Sequence, residues 1–312
     1  MRSVDVVGLG INAIDTVLEI DRFPALGAKE RILRRSVQAG GPIATALVTC
    51  RRLGLSCRYI GKVGGDAEGR FQVASLRREG LDVRSLRVVR GTPSQSSVIF
   101  VDRTSGERTV FWDRDRRLGT RPTELRPEVI TSARFLLLDG SDVGACWKAA
   151  RVAGQAGIPV IADVDTVYEK VESLFPAIDY LIGSADFLPQ VTGEADPFRA
   201  LEIMSRKYKI PSPGMTLGRD GALLYWHGQF HYSPGFVVET VDTTGAGDVF
   251  HGAFIYGLAR AWEMGRILDF ANAMAALNSM ALGARGGIAT RATAEKLVMN
   301  GSRHINRDYI AR

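Results

Sequence analysis

Cysteine is nearly missing from this 312-residue chain. Cys50, Cys57 and Cys146 are an odd number with no Cys-x-x-Cys spacing, which argues against a disulfide framework or a structural zinc site and leaves reduced, packed thiols. Histidine is scarce as well: His227, His231, His251 and His304 are dispersed and make no metal-binding set. No apolar run reaches the ~20 residues that span a bilayer. The opening MRSVDVVGLG has no long apolar core of the signal-peptide kind, so the expected location is the cytoplasm, with no membrane partner. Internal repeats, low-complexity linkers, a Walker A glycine loop and a protein-kinase catalytic loop are all lacking. Lys and Arg exceed Asp and Glu by 40 to 34, a formal charge of +6, but the arginines are scattered rather than gathered in one basic run. That pattern suits anionic small molecules and not a dedicated nucleic-acid surface.

What is present is an ordinary globular composition, 46% apolar and 24% charged, on a chain long enough for a sizeable core. The expected layout is one α/β domain over residues 1–312. VDVVGLG reads as a buried strand meeting a loop, Ile43 to Leu53 and Ala67 to Glu79 as helices stopped by Gly54 and Gly80, and CRYIGKVGGD as a strand and turn. RFLLLDG, a helix through Ala156, PVIADVD, a further helix and DYLIG continue an alternating series that implies a parallel sheet covered on both faces. DTVLEIDRFP and KERILRRSV alternate apolar with polar residues, and SSVIFVDRTSGERTVFW reads as a hairpin about a Thr-Ser-Gly turn. These segments do not fit the parallel sheet. They are assigned to a discontinuous accessory β-sheet, about 15–36 and 94–113, a lid or a dimer contact. GMTLGRDGALLYWHGQFHYS reads as strands broken by glycines, and from Ala246 the pattern is mostly helical.

The stretch VDTTGAGDVFHGAF combines a turn almost free of side chains, an acid and a buried helix. The first turn of a helix carries unpaired N–H groups and a positive dipole end, and Gly245, Ala246 and Gly247 let a phosphate approach closely. Asp248 would repel that phosphate unless another group lies between them. Two readings stand: a glycine turn with a helix-stabilising acid, or a turn that holds a transferring phosphoryl group while Asp248 takes the proton of the attacking hydroxyl.

DTTGAGDVFHGAF resembles the C-terminal signature of the PfkB/ribokinase family of carbohydrate kinases. GLGINAID followed by AGGPIATALVTCRRLG is similar to the family's N-terminal signature, TLGRDG to its nucleotide loop, and FANAMAALNSMALGARGG to its C-terminal nucleotide helix. The resemblance runs from Val4 to about Thr293 in the family's order. It implies a three-layer α/β/α sandwich with a mainly parallel central sheet and a small β-sheet lid, and an ATP-dependent kinase acting on a sugar hydroxyl.

By that resemblance Asp248 is the catalytic base and Gly245, Ala246 and Gly247 form the anion hole. Asp15 and, beside it, Asn12 bind sugar hydroxyls, with Gly40 and Gly41 as the floor; a carboxylate suits this because it accepts from two hydroxyls at once. Thr216, Gly218 and Gly221 match the nucleotide loop and Asn272 an adenine contact. Asp242 and Thr244, with backbone groups around Asn278, Ala281, Gly283 and Gly287, match a monovalent-cation site, K+ by the family's habit, and Mg2+ is expected with ATP. Two positions depart from the pattern: Thr45 replaces the usual Asn after the glycine pair, and Ser184 and Phe187 replace the family's Asn and Glu, with Asp186 close enough to stand in for the acid. The GGPIATA and SQSS segments are similar to those of sulfofructose kinases, which implies an anion contact for Lys29. Trp112 and Ser141 stand where that branch would place polar or cationic residues, so a different substrate is expected, with Trp112 either stacking on a sugar or packing a dimer contact. Asp163 and Asp165 close a strand at the carboxyl edge; with no supporting ligands a glycosidase or two-metal site is set aside for rim or cap roles.

The resulting expectation is transfer of the γ-phosphoryl group of ATP to a primary hydroxyl of a sugar, sugar acid or nucleoside, in a homodimer joined through the lid. The rival readings are a non-catalytic sugar- or nucleotide-binding regulator on the same fold, and a kinase using ADP or GTP.

Overall fold

The computed structural model describes residues 3–310. The chain enters a large sheet with β1 (Val4–Leu9), leaves it for β2 (Ala13–Ile20) and β3 (Arg34–Gly40), and returns through α1 (Pro42–Arg52), β4 (Cys57–Gly64), α2 (Ala67–Arg78) and β5 (Asp82–Val89). A hairpin of β6 (Ser96–Asp102) and β7 (Arg108–Asp113) follows, then α3 (Pro127–Thr131), β8 (Ala133–Leu138), α4 (Val143–Gln155), β9 (Val160–Val164) and β10 (Tyr180–Ser184). After α5 (Phe187–Thr192) and α6 (Pro197–Arg206), β11 (Ser212–Thr216), β12 (Ala222–Trp226) and β13 (Gln229–Ser233) form the far edge. The helices α7 (Ala246–Ala259), α8 (Met264–Asn278) and α9 (Arg291–Asn300) come next.

The nine-stranded sheet has the order β13-β12-β11-β10-β9-β8-β1-β4-β5, parallel except for β11-β12-β13. Its central strands β1, β8, β9 and β10 are largely apolar runs because both faces of the sheet are covered there. Leu137, Ile161, Ile182 and Leu224 face α1, α7 and α8, while Leu136, Leu138, Ala162 and Leu181 face the layer that includes α4 and α6. The chain fills β1, β4 and β5 in one direction and β8 to β11 in the other. The reversal lies between β1 and β8, where open α/β sheets bind ligands beyond the strands' carboxyl ends.

The second sheet has the order β3-β2-β6-β7, with β2 and β6 parallel and the outer pairs antiparallel. Val17, Ile99 and Val101 on its inner face pack on Leu282, which seats the sheet over the segment after α8. Its strands cover 13–40 and 96–113, close to the expected segments.

Two local readings need correction, and one strand, β5, has no reading in the sequence. Lys29 to Leu33 form no strand, and β3 begins only at Arg34. The helix expected before DYLIG is a short 3-10 segment, Val171–Ala177, containing Pro176, which cannot donate to a longer helix. The edge strand β5 carried no apolar signal because it is half-exposed and holds Arg84 and Arg87.

Gly252 fixes the α1–α7 spacing, since a Cβ there would lie 2.5 Å from the Ala46 carbonyl oxygen and 2.6 Å from Thr49 Cβ. Gly252→Val is expected to cost about 3 kcal/mol by forcing the two helices apart. Urea denaturation should show it as a lower midpoint at an unchanged m-value.

Candidate active site

The N-terminus of α7 is built from backbone. Gly245 adopts φ 75°, a left-handed conformation, and a Cβ there would run into the backbone of Ala284. The Ala246 N–H donates to the Thr243 carbonyl at 3.2 Å and the Val249 N–H to the Gly245 carbonyl at 2.9 Å. The N–H groups of Gly245, Gly247 and Asp248 close no hydrogen bond among the described residues. Gly247 faces open space where its Cβ would be. Three unspent amides around a bare turn leave a concavity whose chemistry suits an anion.

Asp248 opens onto that concavity, half-buried. Burial pushes its carboxyl up to about 8, Asp163 and Asp165 add to the rise, and His251 and Arg108 oppose it. Arg108 comes from β7. Its Nη1 donates to Thr243 Oγ1 at 3.0 Å, and the Thr243 N–H donates to the Gly106 carbonyl at 3.2 Å. The tip of the β6–β7 hairpin is thereby seated on the loop that leads into the turn.

The second sheet lays a polar row across its inner face. Gln38, Asp15, Ser97 and Trp112 are register partners on successive strands and share one side. Asp15 is buried, and desolvation raises its carboxyl to about 6 against the pull of the Arg285 guanidinium and the Ser97 hydroxyl. A Cβ on Gly40 would overlap the Asp15 carboxylate, and Gly41, at φ 87°, lies against the backbone of Asn12 and Ala13. Gly40 is therefore required for Asp15 to fit, and Gly41 for the Asn12–Ala13 backbone to lie against it. Asn12 is buried with neither Oδ1 nor Nδ2 hydrogen-bonded, so its amide is unsatisfied until a polar ligand or water arrives. At the sheet's switch point Asp139, which ends β8, accepts from the Ile11 N–H at 2.6 Å and from Ser141 Oγ at 2.7 Å.

Several residues singled out from sequence lie elsewhere. Thr45 is fully buried, and its hydroxyl accepts from Arg285 Nε at 3.2 Å; Arg285 Nη2 in turn donates to the Gly40 carbonyl at 2.8 Å. Thr45 thus props the glycine floor from behind. Lys29 is exposed on the segment before β3, and Trp112, 63% exposed, closes the open end of the polar row. Phe187 is core, while Asp186 is exposed.

At the other end of the crevice Ser184 and Thr216 pair in register at the ends of β10 and β11. Gly218 and Gly221 both take positive φ in the following turn, and a Cβ on Gly221 would strike the Ser233 carbonyl. The Asn272 amide donates to that carbonyl at 2.8 Å and to Ser233 Oγ at 2.9 Å, which ties α8 to β13. Behind the anion turn, buried Asp242 accepts from the N–H groups of Thr244 at 2.8 Å and Gly283 at 2.7 Å. Asn278 bridges the carbonyls of Thr244 and Ala284 and accepts from the Gly287 N–H at 3.2 Å, while the Ala281 N–H donates to the Asn278 carbonyl. Thr244 Oγ1 is buried with no partner.

A family model described as pfkB family carbohydrate kinase matches residues 1–291. The chain belongs to this family. It is a carbohydrate kinase. It is 31% identical over 269 residues to the aminoimidazole riboside kinase of Salmonella typhimurium, covering 80% of this chain and 83% of the relative. It is also 25% identical to the ribokinase of Haemophilus influenzae, over 93% of this chain and 96% of that one. The solved ribokinase of Arabidopsis thaliana, complexed with ribose and ATP, superposes with a TM-score of 0.78 at 23% identity, covering 95% of this chain and 98% of that one.

Sequence reasoning for this carbohydrate kinase missed Asp139, Arg285, Arg108 and Gln38. Asp139 carried a signal, an acid terminating a buried strand at the carboxyl edge. The others act through contacts distant in sequence.

The raised carboxyl of Asp248 has a cost in stability. The folded state binds its proton more tightly than the unfolded state, so stability falls as pH rises from about 4 to about 8. Asp248→Asn is therefore expected to be more stable than the parent by about 2–3 kcal/mol at pH 9, the gain vanishing toward pH 4. Urea titrations at the two pH values measure it.

Proposed function

We propose that this carbohydrate kinase transfers the γ-phosphoryl group of ATP to a hydroxyl of a sugar or sugar derivative, with Asp248 as the general base. The carrying observation is the unpaired Asp248 carboxyl standing beside three unspent backbone amides, with a hydroxyl-binding cradle of Asp15, Asn12, Gly40 and Gly41 in the same crevice. Asp15 accepts from two hydroxyls, and Asn12 gains the partners it lacks. Asp248 then takes the proton from the attacking oxygen as the amides of the turn hold the charge on the phosphoryl group. Seating of the second sheet as a lid keeps out water, the competing acceptor.

ATP is assigned to the half of the crevice bounded by Ser184, Thr216, Gly218, Gly221 and α8. Among the described residues no set of three acidic, His or Cys side chains gathers to hold a metal ion, which fits Mg2+ carried in on the nucleotide's phosphates. Bound there, Mg2+ would neutralise phosphate charge. Asp242, whose described partners are neutral amides, and the orphan Thr244 hydroxyl fit a monovalent cation such as K+ held with nearby carbonyls behind the turn. The lid's outer face exposes Val37, Val98 and Phe111, which fall in one register row and suit a homodimer through the lid. No helix among the described residues is long and apolar enough to cross a membrane. The names of the relatives favour ribose or a riboside as the first acceptors to test.

In a panel of sugars, sugar acids and ribosides with ATP and Mg2+, ADP release with at least one acceptor is expected, reduced at least 10³-fold in Asp248→Asn. Binding without turnover across the panel would favour the regulator. Because a base works only when ionised, kcat/KM should rise with pH through about 8, the value of the free enzyme's carboxyl.

A further inference from the structure

The chemistry above leaves one buried titratable pair without a role. His251 lies one turn beyond Gly247 on α7, facing β9 and β10, with 2% of its side chain exposed. Its Nδ1 is 2.8 Å from the Gly247 carbonyl oxygen, its Nε2 is 3.1 Å from the Ile182 carbonyl oxygen, and Asp163 Oδ2 stands 3.2 Å from Nδ1. All three neighbours are acceptors when Asp163 is ionised. A neutral imidazole has one N–H and one lone pair, so either tautomer aims a lone pair at a carbonyl oxygen. Protonating Asp163 instead does not help, because Nδ1 would still face the Gly247 oxygen without a hydrogen. Only the imidazolium donates to both carbonyls, and Asp163 Oδ2, buried and otherwise without a hydrogen bond, is its counter-charge.

The acids around the ring favour its charge, while Asp165 and Asp139 also push the Asp163 carboxyl up. Asp163 and Asp165 face it from the end of β9, Asp139 from the end of β8 and Asp248 from α7 itself, whereas Arg108 reaches the same turn from β7. Burial pushes the His251 imidazole down and the Asp163 carboxyl well up, against the pair, but the hydrogen-bond geometry of the two carbonyls and the carboxylate is that of an ion pair.

We propose that Asp163 holds His251 as an imidazolium, and that His251 is a positioning residue for phosphoryl transfer. It fastens the first turn of α7 to β10 through the Gly247 and Ile182 carbonyls. It also sets a fixed positive charge behind the anion-binding amides and near Asp248, favouring the ionised base. This role rests on Asp248 being the base; the protonation state of the ring does not.

The test has two arms. In protein labelled with 15N-histidine, the His251 ring nitrogens are expected to be both protonated from pH 6 to pH 8 in the parent, and to lose one proton at least one pH unit earlier in Asp163→Asn. A singly protonated ring at pH 7 in the parent, or an unchanged titration in Asp163→Asn, overturns the proposal, and neither reading needs turnover or a known acceptor. In the kinetic arm, His251→Phe keeps the ring's bulk and removes its charge. It should lower kcat about tenfold or more with both KM values within about twofold, and move the acid limb of the kcat/KM profile up by about one pH unit. A folded His251→Phe with an unmoved acid limb overturns the positioning role. If that variant does not fold, the ring titration of the parent and of Asp163→Asn still decides. An absence of turnover in the parent would count against the kinase chemistry, not against the ion pair.

Discussion

The site depends on how closely α7 is allowed to approach its neighbours. Three glycines along that helix and its cap replace side chains at contact points: Gly245 against Ala284, Gly252 against the Ala46 carbonyl and Thr49, and Gly257 against Ile267. Where backbone meets backbone there is no rotamer to adjust, so the position of the first turn is set to within a fraction of an ångström by excluded volume. That precision suits amides that must meet a migrating charge, because electrostatic stabilisation falls off quickly with misplacement.

The same packing creates the electrical problem that the rest of the crevice answers. Asp15, Asp139, Asp163, Asp165, Asp242 and Asp248 gather near one edge of a chain whose formal charge is +6. The compensating cations are local and few. Arg285 is buried against the glycine floor and feels Asp15 first, Arg114 pairs with Asp142 at 2.9 Å next to Asp139, and His251 lies between β9 and the turn. Burial lifts the carboxyls of Asp15 to about 6 and of Asp248 to about 8, and raises those of Asp139 and Asp163 as well. The Asp15 and Asp248 carboxyls face the crevice, whereas Asp139 and Asp242 spend their lone pairs on backbone N–H groups. Asp248 has no internal hydrogen bond and Asp15 has only the Ser97 hydroxyl, so both keep lone pairs for a ligand.

How much of this the sequence reveals follows from which contacts are local. The parallel strands are legible because burial on both faces turns them into unbroken apolar runs, and the second sheet because its one-sided strands alternate. The glycine turn that opens α7 is legible because glycine, an acid and a buried helix fall within one short segment. By contrast β5 is an edge strand whose arginines hide it, and residues 171–177 satisfy a helical pattern that Pro176 cuts short. Thr45 occupies the expected place after the glycine pair, yet its hydroxyl turns to Arg285, 240 residues away. No periodicity carries that information. The polar row from Gln38 to Trp112 is likewise a product of register across four strands, visible only once the strands are paired.

On the proposed mechanism, with Asp248 as the base and the second sheet as the lid, seating of that sheet and readiness of the carboxyl are one event. The β6–β7 hairpin rests on Thr243 through Gly106 and Arg108, and Thr243 leads directly into Gly245. Arg108 therefore acts twice. Its hydrogen bond holds the hairpin over the crevice, and its charge lowers the carboxyl of Asp248 toward the ionised form. On that mechanism a hairpin lifted away would admit water and withdraw that charge together, leaving Asp248 more fully protonated just when water could compete as acceptor. Under the proposed mechanism, hydrolysis of the nucleotide would thus be opposed by electrostatics as well as by access, through a single arginine on a strand whose side chains are all exposed.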